Sequence, residues 1–485
     1  MTTALKPFVM RRPRIGLYVG AMEWYWTMTG MGELRDAVSQ DALRLKRLLG
    51  EQGVDVVDVG VVSSHVESAA AGRRLRDEKV DLVVVYHGTY VDDRMTYAFL
   101  EEYGPGPLVL LHTQGVDGIP LDFSLIDYAR CWGNNSVVQI ISSMKRMVPD
   151  RRIGYVFGRM DRAVSEVAVY ARAAKALKNV RGCKVAYLPH RCNDAPMYDI
   201  FPDDTAMMSC SGVQISFAYI HELEDEMRQV SASDEESLLN DVRRNYALKE
   251  PSLDELRIAV RQAIALERVV ARHQLDAVAV DAFPELVYRT HQIPNLGMCR
   301  LIDQNIVVAC EGDLTAMVGG LFLRELSGSP PHFWEHLMFD VEQNWILGGH
   351  DGGSAGFNMA ADAKTIALRN MMYISYNNSP PAPPQGVVPE FILKPGRVTW
   401  LNLFRDPSQG YVMRIATGES VSTAQRPVHH EHLVFKPDVP LEQYFSRMMA
   451  VGVDHHFAFA YGDWSRELER LAELLQIPFE NLTTS

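Results

Sequence analysis

Apolar positions in the first 115 or so residues switch repeatedly between two rhythms. Short unbroken apolar runs at Arg14–Gly20, Val54–Val59, Leu82–Tyr86 and Leu108–Leu111 read as strands buried on both faces. Between them, Asp36–Leu49 and Ser64–Arg76 repeat apolar residues at helical spacing. Strand and helix in alternation predict a parallel sheet covered by helices on both faces. Ligands in such a sheet sit beyond the carboxyl ends of the strands. The segments expected there are Gly20-Ala-Met-Glu-Trp-Tyr-Trp26, His87-Gly-Thr-Tyr90 and His112-Thr-Gln114. Tyr90 is a candidate substrate contact, and the neighbouring Asp92 or Asp93 reads as a helix N-cap.

This first pattern defines an N-terminal α/β domain over residues 1–150. A second α/β domain, 151–328, is expected to open at Arg152–Phe157, with strands at Lys184–Leu188, Val213–Ala218, Ala277–Val280 and Asn305–Cys310. Asp234–His273 is mainly helical in pattern, with Pro251 expected at the first position of a helix. Past residue 329 the texture changes: proline and glycine crowd residues 379–386, and Val398–Phe404 and Tyr411–Ala416 alternate β-branched with polar residues. The fold class that follows is α/β, two parallel-sheet (Rossmann-like) domains followed by a C-terminal domain, 329–485, rich in antiparallel β-strand.

Charge narrows the partners. Lys and Arg total 48 against 61 Asp and Glu, a net charge of −13 that repels a phosphate backbone, so nucleic acid is not an expected partner. Without a run of about 18 apolar residues, no membrane span is expected either. The basic N-terminus lacks the apolar core of a signal peptide, and six cysteines lie scattered without a CxxC pair. Both features suit reduced thiols in a cytoplasmic protein. No GxGxxG or P-loop is present, so no nucleotide is implied.

Metal-capable residues concentrate in the second half. In Asn305-Ile-Val-Val-Ala-Cys-Glu-Gly-Asp-Leu314 a buried strand ends and a helix follows, with apolar residues at Leu314, Met317, Val318, Leu321 and Phe322. Glu311 is expected at the helix start, where unpaired amides favour an ionised carboxylate; alternatively, Glu311 and Asp313 merely cap the helix. Phe333–Phe339 and Trp345–Gly349 read as a hairpin turning at 340–344, which brings Glu335 near His350 across the ladder. An acidic residue amid Phe, Trp, Leu and Met calls for a cation. In Gly452-Val-Asp-His455-His456-Phe457, a strand entered at the histidine pair would send the two imidazoles to opposite faces. Glutamates and histidines without sulfur favour Mn²⁺, with Co²⁺ or Mg²⁺ as alternatives. His429-His430-Glu431-His432 contains no HExxH and reads as a strand entry with hydrogen-bonded or solvated histidines. Glu285, after Pro284, reads as a helix-start residue.

The order CEGD, WE, LGGHD and HHF resembles the L-arabinose isomerases and, more loosely, the L-fucose isomerases. His112-Thr-Gln114 is similar to that family's HTQ segment, and Phe435-Lys-Pro437 to a WKP stretch before the last helix. The resemblance implies an aldose–ketose isomerase acting through a cis-enediol. Glu311, Glu335, His350 and His456 would hold the metal, and Glu311 and Glu335 would also be acid and base. Gln114, Tyr90 and His455 would meet the substrate. It further implies a homo-oligomer in which the N-terminal domain of one subunit covers the metal site of another. Two family positions differ, with Met22 where a substrate-contacting Gln is usual and Gly133-Asn134-Asn135 in place of HGG. A ketose epimerase, a metal-dependent hydrolase or lyase, and a non-catalytic carbohydrate-binding protein remain alternatives.

Overall fold

The structure, a computed structural model, describes residues 4–484 apart from 190–196, 202, 283–284, 291 and 372–385. The chain divides into two compact units: Arg11–Lys178 with Arg466–Gln476, and Asn179–Ser465 with Met1–Met10 and Ile477–Ser485.

In the first of these, five parallel strands lie in the order Asp55–Val62, Arg14–Gly20, Leu82–His87, Leu108–His112, Ile153–Phe157. Every residue of the central strand Leu82–His87 is buried, as its unbroken apolar run requires. Ile153–Phe157, expected to open a second unit, is instead the edge strand here. Its alternating burial suits an edge with one open face, and Leu108–His112 supplies its ladder. Asp92 caps the helix Asp93–Tyr103 by accepting from the Met95 amide at 2.9 Å.

The other unit combines two sheets. A four-stranded parallel sheet has the order Val307–Cys310, Ala277–Val280, Lys184–Leu188, Gln214–Phe217. The helix Leu253–His273 starts two residues later than expected. Ser252 is the N-cap, in a capping box with Glu255, and Pro251 precedes it, because the Ser hydroxyl satisfies an amide that proline's ring only vacates. Glu285 does begin a helix, Glu285–Thr290.

The C-terminal part builds a ten-stranded sheet, mostly antiparallel. Six of its strands form a closed antiparallel circuit: Gly410–Ser420, Gly396–Asp406, Phe457–Tyr461, His332–Asp340, Trp345–Gly349 and Glu431–Pro437, the last pairing back to the first. Closure removes the free edges that an open sheet would expose. Its interior is aromatic: Trp334, Trp400, Tyr444, Phe435 and Phe457 are fully buried, and the Trp400 indole donates to the Tyr444 hydroxyl at 2.9 Å. Truncating either tryptophan to alanine costs about 3–5 kcal/mol by the usual measure of core aromatic loss. The proline-rich stretch 379–386 lies outside the described residues except for Gly386. No helix among the described residues is long and apolar enough to cross a membrane.

Candidate metal centre

Register brings the donors together. The central strand of the hairpin pairs Glu335 with Gly349 on one side and Trp334 with Phe457 on the other. One step beyond Gly349 is His350, and one step before Phe457 is His456, so both imidazoles leave the barrel at the Glu335 level. The two glycines ahead of His350 are a packing requirement. A Cβ on Gly348 would lie 2.4 Å from the Glu335 carbonyl oxygen, and one on Gly349 would lie 2.4 Å from that of Glu431.

Glu311 arrives from the parallel sheet, one residue past the strand Val307–Cys310. It turns at φ 54°, a left-handed conformation that a side chain normally avoids, before Gly312 continues the turn. The helix itself starts later than expected. Asp313 is the N-cap and Leu314 the first helical residue, so Glu311 stands outside the first turn. Its carboxyl is therefore not held in the ionised form expected from helix amides. Burial pushes it up to about 7, with His350 opposing and Asp351 and Glu335 adding to the rise.

His456 is fully buried, its Nδ1 3.1 Å from Asp313 Oδ2. A carboxylate only accepts, so Nδ1 carries the hydrogen and Nε2 is left as the donor atom for a ligand. That Nε2 lies 3.3 Å from His350 Nε2 and 3.4 Å from Glu311 Oε2. Ligand atoms of Glu335, His350 and His456 lie within 4.8 Å of one another, as do those of Glu311, His350 and Asp351, and of Glu311, His455 and His456. Around an ion with bonds near 2.1 Å, adjacent donors sit about 3.0 Å apart and opposite ones about 4.2 Å. The observed spacings fit a divalent cation after small inward movements, and the oxygen-and-nitrogen donor set suits one.

The histidine pair departs from strand alternation. The strand begins only at Phe457, so His455 and His456 lie in the approach to it, their ring centroids 3.8 Å apart rather than on opposite faces. His456 is enclosed, while His455 is part-exposed and lines the cleft.

That cleft, about 460 Å³, is walled by Glu311, Glu335, His350, Asp351, His430 and His455 among others. Asp351 sits 3.0 Å from His350 Nδ1. Its place directly after His350 is the one signal of it in the sequence. The sequence marks His430 as a strand-entry residue, hydrogen-bonded or solvated. Its Nδ1 does meet the Glu431 carbonyl at 2.8 Å, yet the ring also reaches the cleft wall. Glu431 is fully buried: Cys299 donates to it at 2.7 Å and the Gly353 amide at 3.1 Å. It thereby ties down the loop that follows His350.

Gln114 and Tyr90 belong to the other compact unit. Gln114 donates to the Val116 carbonyl at 2.9 Å and accepts from Asn134 at 3.0 Å. It borders a cleft of about 350 Å³ with Ile119 and Phe123, which are exposed together with Leu121 and Leu125. The Tyr90 hydroxyl donates to Gln139 at 2.7 Å. Among the described residues, none of the cysteines 131, 183, 210, 299 and 310 is joined in a disulfide.

No protein-family model matches the chain. It is similar to a sulfoquinovose isomerase of Alkalicoccus urumqiensis, 24% identical over 215 residues, or 44% of this chain and 46% of that protein. The sulfoquinovose isomerase of Priestia megaterium is 24% identical over 213 residues, 44% of this chain and 45% of that one. That of a Clostridium species is 21% identical over 345 residues, 69% and 73% of the two chains. The chain thus spans about half the length of the first two relatives that it matches. A sugar-transport substrate-binding protein of Bordetella parapertussis aligns over 68% of this chain and 85% of its own at 16% identity. Its TM-score is 0.15, too loose an alignment to bear on the fold.

Proposed function

We propose that the protein is a metal-dependent aldose–ketose sugar isomerase. One observation carries the reading: Glu311, Glu335 and His350 wall one cleft, and His456, oriented by the buried Asp313, brings a ligand atom within 4.8 Å of theirs. The similarity to proteins named as sulfoquinovose isomerases supports the same class of reaction.

In this reading Glu311, Glu335, His350 and His456 hold a divalent ion, Mn²⁺ before Co²⁺ or Mg²⁺. When bound, such an ion polarises the sugar carbonyl and its neighbouring hydroxyl. Isomerisation needs a proton taken from one carbon and returned to the next, and Glu311 and Glu335 serve as base and acid on either side of the enediol. His455 meets the sugar at the open wall. Gln114 and Tyr90 meet it from a neighbouring copy in a closed homo-oligomer, and the exposed apolar stretch beside Gln114 supports an association there. Thiols outside any disulfide among the described residues accord with a cytoplasmic setting.

The test is a panel of aldoses and ketoses, including sulfonated hexoses because of the relatives' name, followed by NMR after chelation and again with Mn²⁺. Interconversion that disappears on chelation and returns with Mn²⁺ is expected. Full turnover in protein shown by elemental analysis to be metal-free would end the proposal.

A further inference from the structure

Beside the converging donors, His455, which the mechanism above places against the sugar, is paired with a carboxylate that the mechanism does not use. Asp199 lies in a single 3₁₀ turn, Tyr198–Ile200, far from any catalytic motif in the chain. One of its oxygens, Oδ2, accepts twice from His455, from the backbone amide at 3.0 Å and from Nδ1 at 2.6 Å. We propose that Asp199 is a positioning residue that fixes the His455 imidazole so that its Nε2 engages a sugar hydroxyl beside Glu311. This rests on the isomerase reading.

The argument is geometric. A carboxylate has no hydrogen to give, so Nδ1 of His455 must carry one, and the ring can offer only Nε2 elsewhere. The second bond, to the His455 amide, fixes the backbone as well as the ring, so neither the side-chain torsion nor the loop can drift without breaking a contact. A nitrogen of His455 lies within 4.8 Å of donor atoms of Glu311 and His456. The same construction recurs next door, where Asp313 orients His456 through Nδ1.

Exposure separates the two pairs. His456 and Asp313 are both fully buried, whereas the side chains of His455 and Asp199 are each 37% exposed. A ligand of an enclosed ion belongs in the first environment. A group that meets an incoming sugar, and exchanges water for its hydroxyl, belongs in the second. Glu311, Glu335, His350 and His456 already supply a ligand set, which leaves His455 for the substrate.

The probes are Mn²⁺ and the alditols arabinitol, ribitol and sorbitol, which carry the hydroxyls of a sugar but cannot isomerise. Alditol binding to the Mn²⁺-loaded full chain is measured by calorimetry, and metal content by elemental analysis. Asp199→Ala is expected to weaken alditol binding about tenfold, and His455→Asn by about as much. The double variant should be no worse than either alone, because the two residues act as one unit. Asp199→Asn, which keeps an acceptor, should recover most of the loss, and Mn²⁺ content should stay at the wild-type level in all four. If Asp199→Ala melts early, Asp199→Ser takes its place. Binding by Asp199→Ala within twofold of wild type, losses that multiply in the double variant, or loss of Mn²⁺ each overturns the assignment; the last would make His455 a ligand. A wild-type protein that binds neither Mn²⁺ nor any alditol refutes the isomerase reading itself and this inference with it.

Discussion

Asp313→Asn tests how the centre is held. Asp313 is fully buried and divides its oxygens between two tasks: Oδ1 caps the helix at the Ala316 amide, 2.9 Å away, and also takes the Thr315 hydroxyl at 2.6 Å, while Oδ2 faces His456 Nδ1. Asparagine caps a helix about as well as aspartate, so with its oxygen kept at Ala316 the helix start loses little. Its amide nitrogen then opposes Nδ1–H, donor against donor at about the 3.1 Å of the present contact. The imidazole relieves that clash by moving its hydrogen to Nε2, which removes the lone pair offered to a cation. Loss of such an orienting partner weakens metal binding about 10–100-fold, or about 1.4–2.7 kcal/mol. If the amide flips instead, the cap is lost at about 1 kcal/mol and His456 is spared. Calorimetric titration with Mn²⁺ beside thermal melts of the metal-free protein separates the two. The expected result is a raised Kd with a nearly unchanged melt. An unchanged Kd together with an unchanged melt, which excludes the flipped amide, would refute the orienting role and leave Asp313 as a cap alone.

The remaining predictions concern neighbouring groups. Glu311→Gln and Glu335→Gln should each cut turnover by orders of magnitude while folding survives; a variant keeping more than about a tenth of the wild-type rate, a loss under about 1.4 kcal/mol, removes that residue from the mechanism. Mn²⁺ content should fall more in His456→Ala than in His455→Ala, and the reverse ranking in elemental analysis would show the ligand misassigned. Mixing inactive Gln114→Ala with inactive Glu311→Gln under subunit exchange should restore activity, and demonstrated exchange without recovery would exclude a site shared between copies. Burial pushes the Glu431 carboxyl from its ordinary 4.5 up to about 7, against the hydrogen bonds from Cys299 and Gly353. The folded chain keeps that proton where the unfolded chain has released it, so the contribution to stability is whole below about 4.5 and lost as pH rises through about 7. Glu431→Gln should therefore gain stability relative to wild type between pH 5 and 8, by up to about 3 kcal/mol in denaturant titrations, and a pH-independent difference would contradict the assignment.

Much of the local structure was legible in the linear pattern. Buried parallel strands have no solvent face, so Arg14–Gly20, Leu82–Tyr86 and Ala277–Val280 announce themselves as unbroken apolar runs. The hairpin was equally plain, but its turn alone would set Glu335 opposite His350, and a bulge between His336 and Met338 shifts it to Gly349. The candidate ligands were nameable because carboxylates and imidazoles amid apolar neighbours need a reason to be there.

What could not be read along the chain depends on contacts between distant segments. Ile153–Phe157 carries no mark saying which sheet it completes, since edge pairing is made by backbone groups that all residues share. Strand alternation misled at His455 and His456 because the ladder starts one residue later, where Trp334 supplies a partner for Phe457. The two carboxylates that orient these histidines show the limit most clearly. Asp313 looked like a cap and is one, yet its second oxygen finds His456 143 residues away. Asp199 looked like nothing, and it meets His455 across 256 residues. A hydrogen bond of that kind leaves no periodicity and no spacing in the sequence. It exists only because closing the barrel and abutting the parallel sheet bring distant loops together at one end, where each imidazole finds an acceptor.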